Sequence, residues 1–171
     1  MGSTSLERAT FRLPDGRLKD TAVVRRPDAV GVLPVRRGVR GGVEVFLVSQ
    51  PRPVVGVPML VEVVAGKLDP GETPEAAAAR ELQEEAGLFA GELVALASGM
   101  PVSPGYTTER MSLFLARGLV EVPARAEDSH IHGEWWELTG AVALAAKGWI
   151  TDMKTVAALL LAVQKGVSAW A

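Results

Sequence analysis

Asp69, Glu72, Glu81, Glu84 and Glu85 fall within one short stretch, Gly66 to Leu88, GKLDPGETPEAAAARELQEEAGL. The last three stand at i, i+3 and i+4, so on a helix their carboxylates share one face and repel one another. A cation relieves that repulsion. Hard divalent ions take oxygen ligands, and Mg²⁺ in particular binds through a few carboxylates together with waters and substrate phosphate oxygens. Metal-assisted phosphate chemistry is therefore what this face could perform. The plain alternative is a solvated surface helix in which Arg80 and Glu84 form an ordinary i,i+4 pair. The local signals do place a helix here. Thr73 suits the N-cap, Pro74 the first helical position, Glu75 to Ala86 are strong helix formers, and Gly87 is a stop.

Composition limits what such a face can serve. A chain of 171 residues with 48% hydrophobic content can bury a real core as one domain with a small appended region. A net charge of -2 offers no basic field for a nucleic-acid backbone, so DNA and RNA polymers are not expected partners. There is no cysteine, which removes disulfides and thiolate metal sites. The opening residues carry no apolar signal core and no apolar run reaches membrane-span length, so no membrane partner is expected and the cytoplasm is the expected compartment.

The elements around the face read mostly as strands. Thr10 to Arg26 forms short strands about a Pro14-Asp15-Gly16 turn, a small β-region over residues 1–28. Ala29 to Pro34 and Val43 to Ser49 are adjacent strands joined by an arginine- and glycine-rich loop. Gln50-Pro51-Arg52-Pro53 breaks the second strand. Met59 to Ala65 is one apolar run with Glu62 inside it, which either faces solvent or holds a partner in a cleft. Leu93 to Ser98, Met111 to Leu115 and Trp135 to Leu138 are further strands. Two helices follow, Thr139 to Lys147 and one capped by Thr151 or Asp152, whose apolar residues are Val156, Leu159, Leu160 and Val163.

Gly66, five residues, Glu72, seven residues, then Arg80-Glu81-Leu82-x-Glu84-Glu85-x-Gly87-Leu88 resembles the Nudix box at every fixed position. The resemblance implies an α/β fold, an α/β/α sandwich with a mixed central sheet, over residues 29–171. It implies a metal-dependent hydrolase of nucleoside diphosphates linked to another moiety. Glu81, Glu84, Glu85 and the Ala65 carbonyl correspond to metal ligands, Glu84 doubling as a catalytic group, with Arg80 and Glu72 orienting them. The cofactor implied is Mg²⁺ or Mn²⁺.

Outside the box the chain is similar to the ADP-ribose pyrophosphatase subgroup. Ser103-Pro104-Gly105 with Glu109 beyond it, Gln50-x-Arg52, and Glu62-Val63-Val64-Ala65-Gly66 carry that likeness, with Val64 where proline is usual. Arg52, Glu62, Ser103, Pro104, Gly105 and Glu109 are thereby implied to bind substrate. Aligned on Ile131, Glu127 takes the position of the base, while Ser129 stands where a second acidic residue is usual; Asp128 or His130 are the substitutes. His130 and His132 otherwise read as surface residues. The implied reaction is ADP-ribose to AMP and ribose 5-phosphate. Another nucleoside diphosphate sugar such as GDP-mannose, or a ligand-sensing module without catalysis, is the alternative. In the subgroup the N-terminal β-region exchanges between protomers, which implies a homodimer, with Phe11 and Arg25 or Arg26 as candidate stacking groups.

Overall fold

The computed structural model describes residues 4–39, 41–123 and 130–167. Its centre is a hairpin that opens into a wedge. Strands β3 (Ala29–Arg37) and β4 (Val43–Arg52) pair antiparallel only from Val35 opposite Val45 to Arg37 opposite Val43. They then part. Strand β5 (Val57–Glu62) fills the gap along β4, with Val48 opposite Glu62, and β6 (Val64–Lys67) fills it along β3, with Val32 opposite Val64. The apolar run expected as one strand is thus two, divided at Val63, because its halves bond to different neighbours.

The expected break at Gln50-Pro51-Arg52-Pro53 is likewise different. Strand β4 continues to Arg52 through a register shift between Gln50 and Arg52, which accommodates Pro51 without an N–H, and ends in a 3-10 turn at Pro53–Val55.

Strands β7 (Leu88–Pro101) and β8 (Arg110–Glu121) complete one side of the sheet, longer than the sequence suggests, and β9 (His132–Glu137) lines the outer edge of β4. The order is β5-β4-β3-β8-β7, with β3 parallel to β8 and the other pairings antiparallel. Side chains of β3 and β8 alternate between two cores. Leu33, Val35, Leu113 and Leu115 face helices α2 (Leu138–Ala146) and α3 (Met153–Gln164). Val30, Val32, Phe114 and Ala116 face α1 (Pro74–Ala86). The result is the three-layer α/β/α arrangement.

Helix α3 corrects one expectation. It buries Thr155, Ala158, Leu159 and Ala162, whereas Leu160 and Val163 are exposed. Leu159 packs against the sheet together with the small residues, while Leu160 and Val163 turn outward.

The N-terminal strands β1 (Ser5–Arg12) and β2 (Leu18–Arg25) form a two-stranded sheet of their own, paired from Ser5 opposite Arg25 to Arg12 opposite Leu18. It joins the rest where Val24 bridges Thr107. Leu6, Phe11 and Leu18 on it are exposed.

Candidate active site

Helix α1 is built as its residues dictate. The Thr73 hydroxyl accepts from the Ala76 N–H at 3.2 Å, Pro74 opens the helix, and Gly87 closes it in the left-handed region at φ 61°. Leu82, Ala77 and Ala78 are buried against the sheet, which fixes the rotation of the helix and turns Glu81 and Glu85 toward β6. The Ala65 N–H donates to Glu85 Oε2 at 3.1 Å. A Cβ on Gly66 would fall 1.8 Å from Glu81 Oε1, so only glycine leaves room for that carboxylate.

Arg80 ties this face to the preceding loop. Its Nε and Nη2 donate to the two Glu72 oxygens, each at 3.0 Å, and Nη2 also reaches the Lys67 carbonyl at 2.9 Å. Its Nη1 donates to Glu81 Oε1 at 2.7 Å and Glu84 Oε2 at 3.0 Å. Glu72 also accepts from the Asp69 N–H at 2.9 Å, and the hydrogen bond from Arg80 holds its carboxyl below the ordinary range.

The carboxylates themselves are under electrostatic stress. Burial raises Glu81, although Arg80 draws it down. Burial pushes Glu85 up to about 7, the Ala65 N–H opposing this and the charges of Glu81 and Glu62 adding to it. Arg80 does not reach Glu85, whose hydrogen-bond partner among the described residues is Ala65. Among the described residues no three acidic or histidine side chains converge into a closed metal cage. The donor set nevertheless fits a hard divalent cation: every group is an oxygen, and Glu85, with no arginine or lysine bonded to it among the described residues, stands beside Glu81 on the same helix face.

Glu62, the acidic residue inside an apolar run, is the most buried of all. Its side chain is 0% exposed, and both oxygens are engaged. Arg52 Nε donates to Oε1 at 2.5 Å and Arg52 Nη2 to Oε2 at 2.7 Å, a bidentate clamp. Lys154 Nζ donates to Oε2 at 2.5 Å and to Asp152 Oδ1 at 3.0 Å. Burial works to raise the Glu62 carboxyl, but the hydrogen bonds from Arg52 and Lys154 hold it below its ordinary value. Arg52 is half exposed, is raised by its bond to Glu62, and feels the charge of Glu85. Glu62 therefore faces Arg52 and Lys154, the partners that hold an acidic residue inside an apolar run.

Asp152 caps α3, accepting from the Thr155 N–H at 2.9 Å and from its hydroxyl at 2.5 Å, and Thr155 Oγ1 accepts from the Val63 N–H at 2.8 Å. Lys154 and Thr155 were not among the residues singled out from sequence. A signal for Lys154 exists: a cation in the first turn of a helix opposes the dipole and calls for an acidic partner.

The Ser103-Pro104-Gly105 segment forms a turn in which the Ser103 carbonyl accepts from the N–H groups of Tyr106 and Thr107. This loop seats the end of β2, since the Val24 N–H donates to the Tyr106 carbonyl at 2.7 Å and the Thr108 N–H to the Val24 carbonyl at 3.1 Å. Glu109 is nearly buried and lies 3.3 Å from Arg26 Nη1. Arg25 pairs with Glu7 inside the hairpin at 2.6 Å. Glu127, Asp128 and Ser129 lie outside the described residues, while His130 and His132 are exposed. A hollow of about 290 Å³, lined among others by Arg36, Arg117, Leu88 and Trp135, lies near the opposite end of β3 and holds none of the predicted site residues.

Comparison with known proteins places these features in context. Residues 25–159 match the model of the NUDIX domain. An ADP-ribose pyrophosphatase of Bacillus subtilis is 34% identical over 150 residues, 86% of this chain and 78% of that protein. An ADP-ribose pyrophosphatase of Mycobacterium tuberculosis is 32% identical over 160 residues, 91% of this chain and 74% of that protein. A solved structure described as an ADP compounds hydrolase covers 98% of this chain, with 88% of its own length matched, at a TM-score of 0.80 and 22% identity, a likeness of fold.

Proposed function

The chain belongs to the Nudix family, and from that premise we propose that it hydrolyses ADP-ribose to AMP and ribose 5-phosphate. It is a Nudix pyrophosphohydrolase of nucleoside diphosphate sugars, and ADP-ribose is the member of that class named by its relatives. The observation that carries the chemistry is the pair Glu81 and Glu85 on one face of α1, Glu81 set into the space left by Gly66 and Glu85 bonded to the Ala65 N–H.

Members of the family generally need divalent metal ions, and Mg²⁺ is the ion we assign. Glu81, Glu85, Glu84 and the Ala65 carbonyl would hold it. Bound there, it would lower the pKa of a coordinated water and offset charge developing on the phosphoryl oxygens. Arg80 keeps Glu81 and Glu84 aligned and ties them to Glu72. Arg52, half exposed and electrostatically linked to Glu85, binds the diphosphate. Water adds to one phosphorus, the bridging P–O bond breaks, and Glu127 takes the proton. Ser103 to Gly105 and Glu109 form the wall of the substrate cleft nearest the N-terminal hairpin.

We also infer a homodimer joined through β1 and β2. A lone two-stranded hairpin is marginal in water, and this one exposes Leu6, Phe11 and Leu18. Leu6 and Leu18 share one face of the hairpin and Phe11 lies on the other, so exchange of the hairpin with a second copy would cover both faces and bring Phe11 toward the adenine.

The test is a panel of ADP-ribose, ADP-glucose, GDP-mannose, NADH, FAD and diadenosine polyphosphates, with product phosphates identified. ADP-ribose is expected to give the highest kcat/KM, and a low rank for it would overturn the substrate. In the same assay Glu85→Gln, which removes a ligand charge at nearly constant volume, should abolish Mg²⁺-dependent turnover. Near-normal turnover by that variant would remove the metal assignment.

A further inference from the structure

We infer that Lys154, at the start of α3, is a positioning residue for substrate binding, acting through Glu62 to hold the Arg52 guanidinium in place. The inference rests on the reading of Arg52 as the residue that binds the diphosphate.

Glu62 is the anchor beneath Arg52. A carboxylate withdrawn completely from water is stable only when its charge is compensated and its lone pairs are used. Arg52 alone supplies one positive charge and two hydrogen bonds. Lys154 supplies the second charge and a further bond to Oε2. With both present, Glu62 is fixed as an acceptor whose two oxygens face the Arg52 fork, and a bidentate fork defines orientation as well as distance. Arg52 is a long side chain on the strand that carries the Pro51 irregularity, with part of its surface open to solvent. Its pose depends on the anchor beneath it.

Lys154 is suited to support that anchor and not to meet a ligand. Its side chain is 16% exposed, and its ammonium is held between Glu62 Oε2 and Asp152 Oδ1. Asp152 is itself fixed by the Thr155 N–H and hydroxyl, and Thr155 receives the Val63 N–H at the point where the chain passes from β5 to β6. The first turn of α3 thus grips the floor of the wedge at two places, Glu62 and Val63. The next residues along β6 are Val64 and Ala65, and Ala65 is bonded to Glu85. One helix terminus supports both the residue that binds phosphate and the strand beside the metal ligands. A lysine in that first turn works against the helix dipole, which makes sense when its partners are two carboxylates.

The groups facing Glu62 are Arg52 from β4 and Lys154 with Asp152 from α3, and Glu85 on α1 interacts with it through space. Removing Lys154 leaves the buried carboxylate with one cation. Glu62 can then draw the Arg52 guanidinium inward or lose its fixed orientation, and in either case the fork no longer meets the diphosphate as before.

The test measures KM and kcat for ADP-ribose at saturating Mg²⁺ in wild type, Arg52→Ala, Lys154→Met, Lys154→Arg and the double variant Arg52→Ala/Lys154→Met. Lys154→Met should raise KM roughly tenfold while changing kcat far less, the mark of lost substrate binding. Lys154→Arg, which keeps the charge, should recover most of the loss. In the Arg52→Ala background Lys154→Met should add little, because the residue it positions is gone. If Lys154→Met does not fold, Lys154→Gln takes its place with the same expectations. A lower melting temperature with unchanged KM would show a purely structural role and overturn the inference. An equal KM penalty with and without Arg52 would also overturn it. An unchanged KM in Arg52→Ala alone would remove the reading of Arg52 and this inference with it, whereas a raised KM there beside a normal Lys154→Met would sink only the inference.

Discussion

Glu62 shows how much one buried charge depends on its partners. Burial and pairing oppose each other, and the bonds from Arg52 and Lys154 prevail, so the folded carboxyl titrates below its ordinary value. An acid with a depressed folded pKa contributes stability that is complete above the ordinary carboxylate pKa of about 4.3 and is lost as pH falls through the lower folded value. Wild-type protein is therefore expected to lose stability below about pH 4 partly through Glu62. Glu62→Gln removes the titrating group but leaves Arg52 and Lys154 without their counter-ion, so at neutral pH it should be less stable by about 3 kcal/mol. Denaturant unfolding across pH 3 to 7 checks both parts. The variant should show a shallower acid slope, and an identical slope would mean that Glu62 is not ionised in the fold.

At the scale of the element, α1 and the β6 strand are a matched pair. The helix carries Glu81, Glu84 and Glu85 in its C-terminal half, where the helix dipole disfavours negative charge, so the carboxylates are held by packing and by Arg80 at a local cost. Leu82 and the two alanines set the rotation, and Gly66 supplies the space. Gly66→Ala needs no unusual backbone conformation, yet its methyl would occupy the position of the Glu81 carboxylate. Displacement of an active-site group by about 1 Å can cost on the order of 100-fold in rate. We expect kcat/KM to fall by at least that factor, with a melting temperature far less affected because the hydrophobic contacts of α1 remain. A variant of wild-type activity would show that Glu81 can move without consequence.

For the whole molecule the main question is how the hairpin of β1 and β2 is held. Its register is complete, but it touches the body of the protein through Val24, the Tyr106 to Thr108 segment and the pair Arg26 with Glu109. The same loop carries Ser103 to Gly105, so a dimer formed through the hairpin would couple association to the residues proposed to contact substrate. Replacing Leu6, Phe11 and Leu18 by serine should halve the sedimenting mass and raise KM for ADP-ribose, with kcat less changed. A wild-type protein that sediments as a monomer at micromolar concentration would remove the dimer.

The sequence by itself determined the parts whose causes are local. Thr73, Pro74 and Gly87 bound α1 within one residue, the spacing of the glutamates set their common face, and short apolar runs marked the middles of β3 and β8, while the three-layer arrangement was implied by the resemblance that the box carries. Such signals act over a few residues and survive in the linear chain. Only the tertiary structure decided that the run from Met59 to Ala65 divides at Val63, because the division depends on which of two diverging strands each half meets. It also decided the partners of Glu62: Lys154 lies 92 residues away, and no local pattern joins a strand carboxylate to a helix lysine at that separation. The face that α3 buries was likewise set by the sheet beneath it, which takes Thr155, Ala158, Leu159 and Ala162 and leaves Leu160 and Val163 outward.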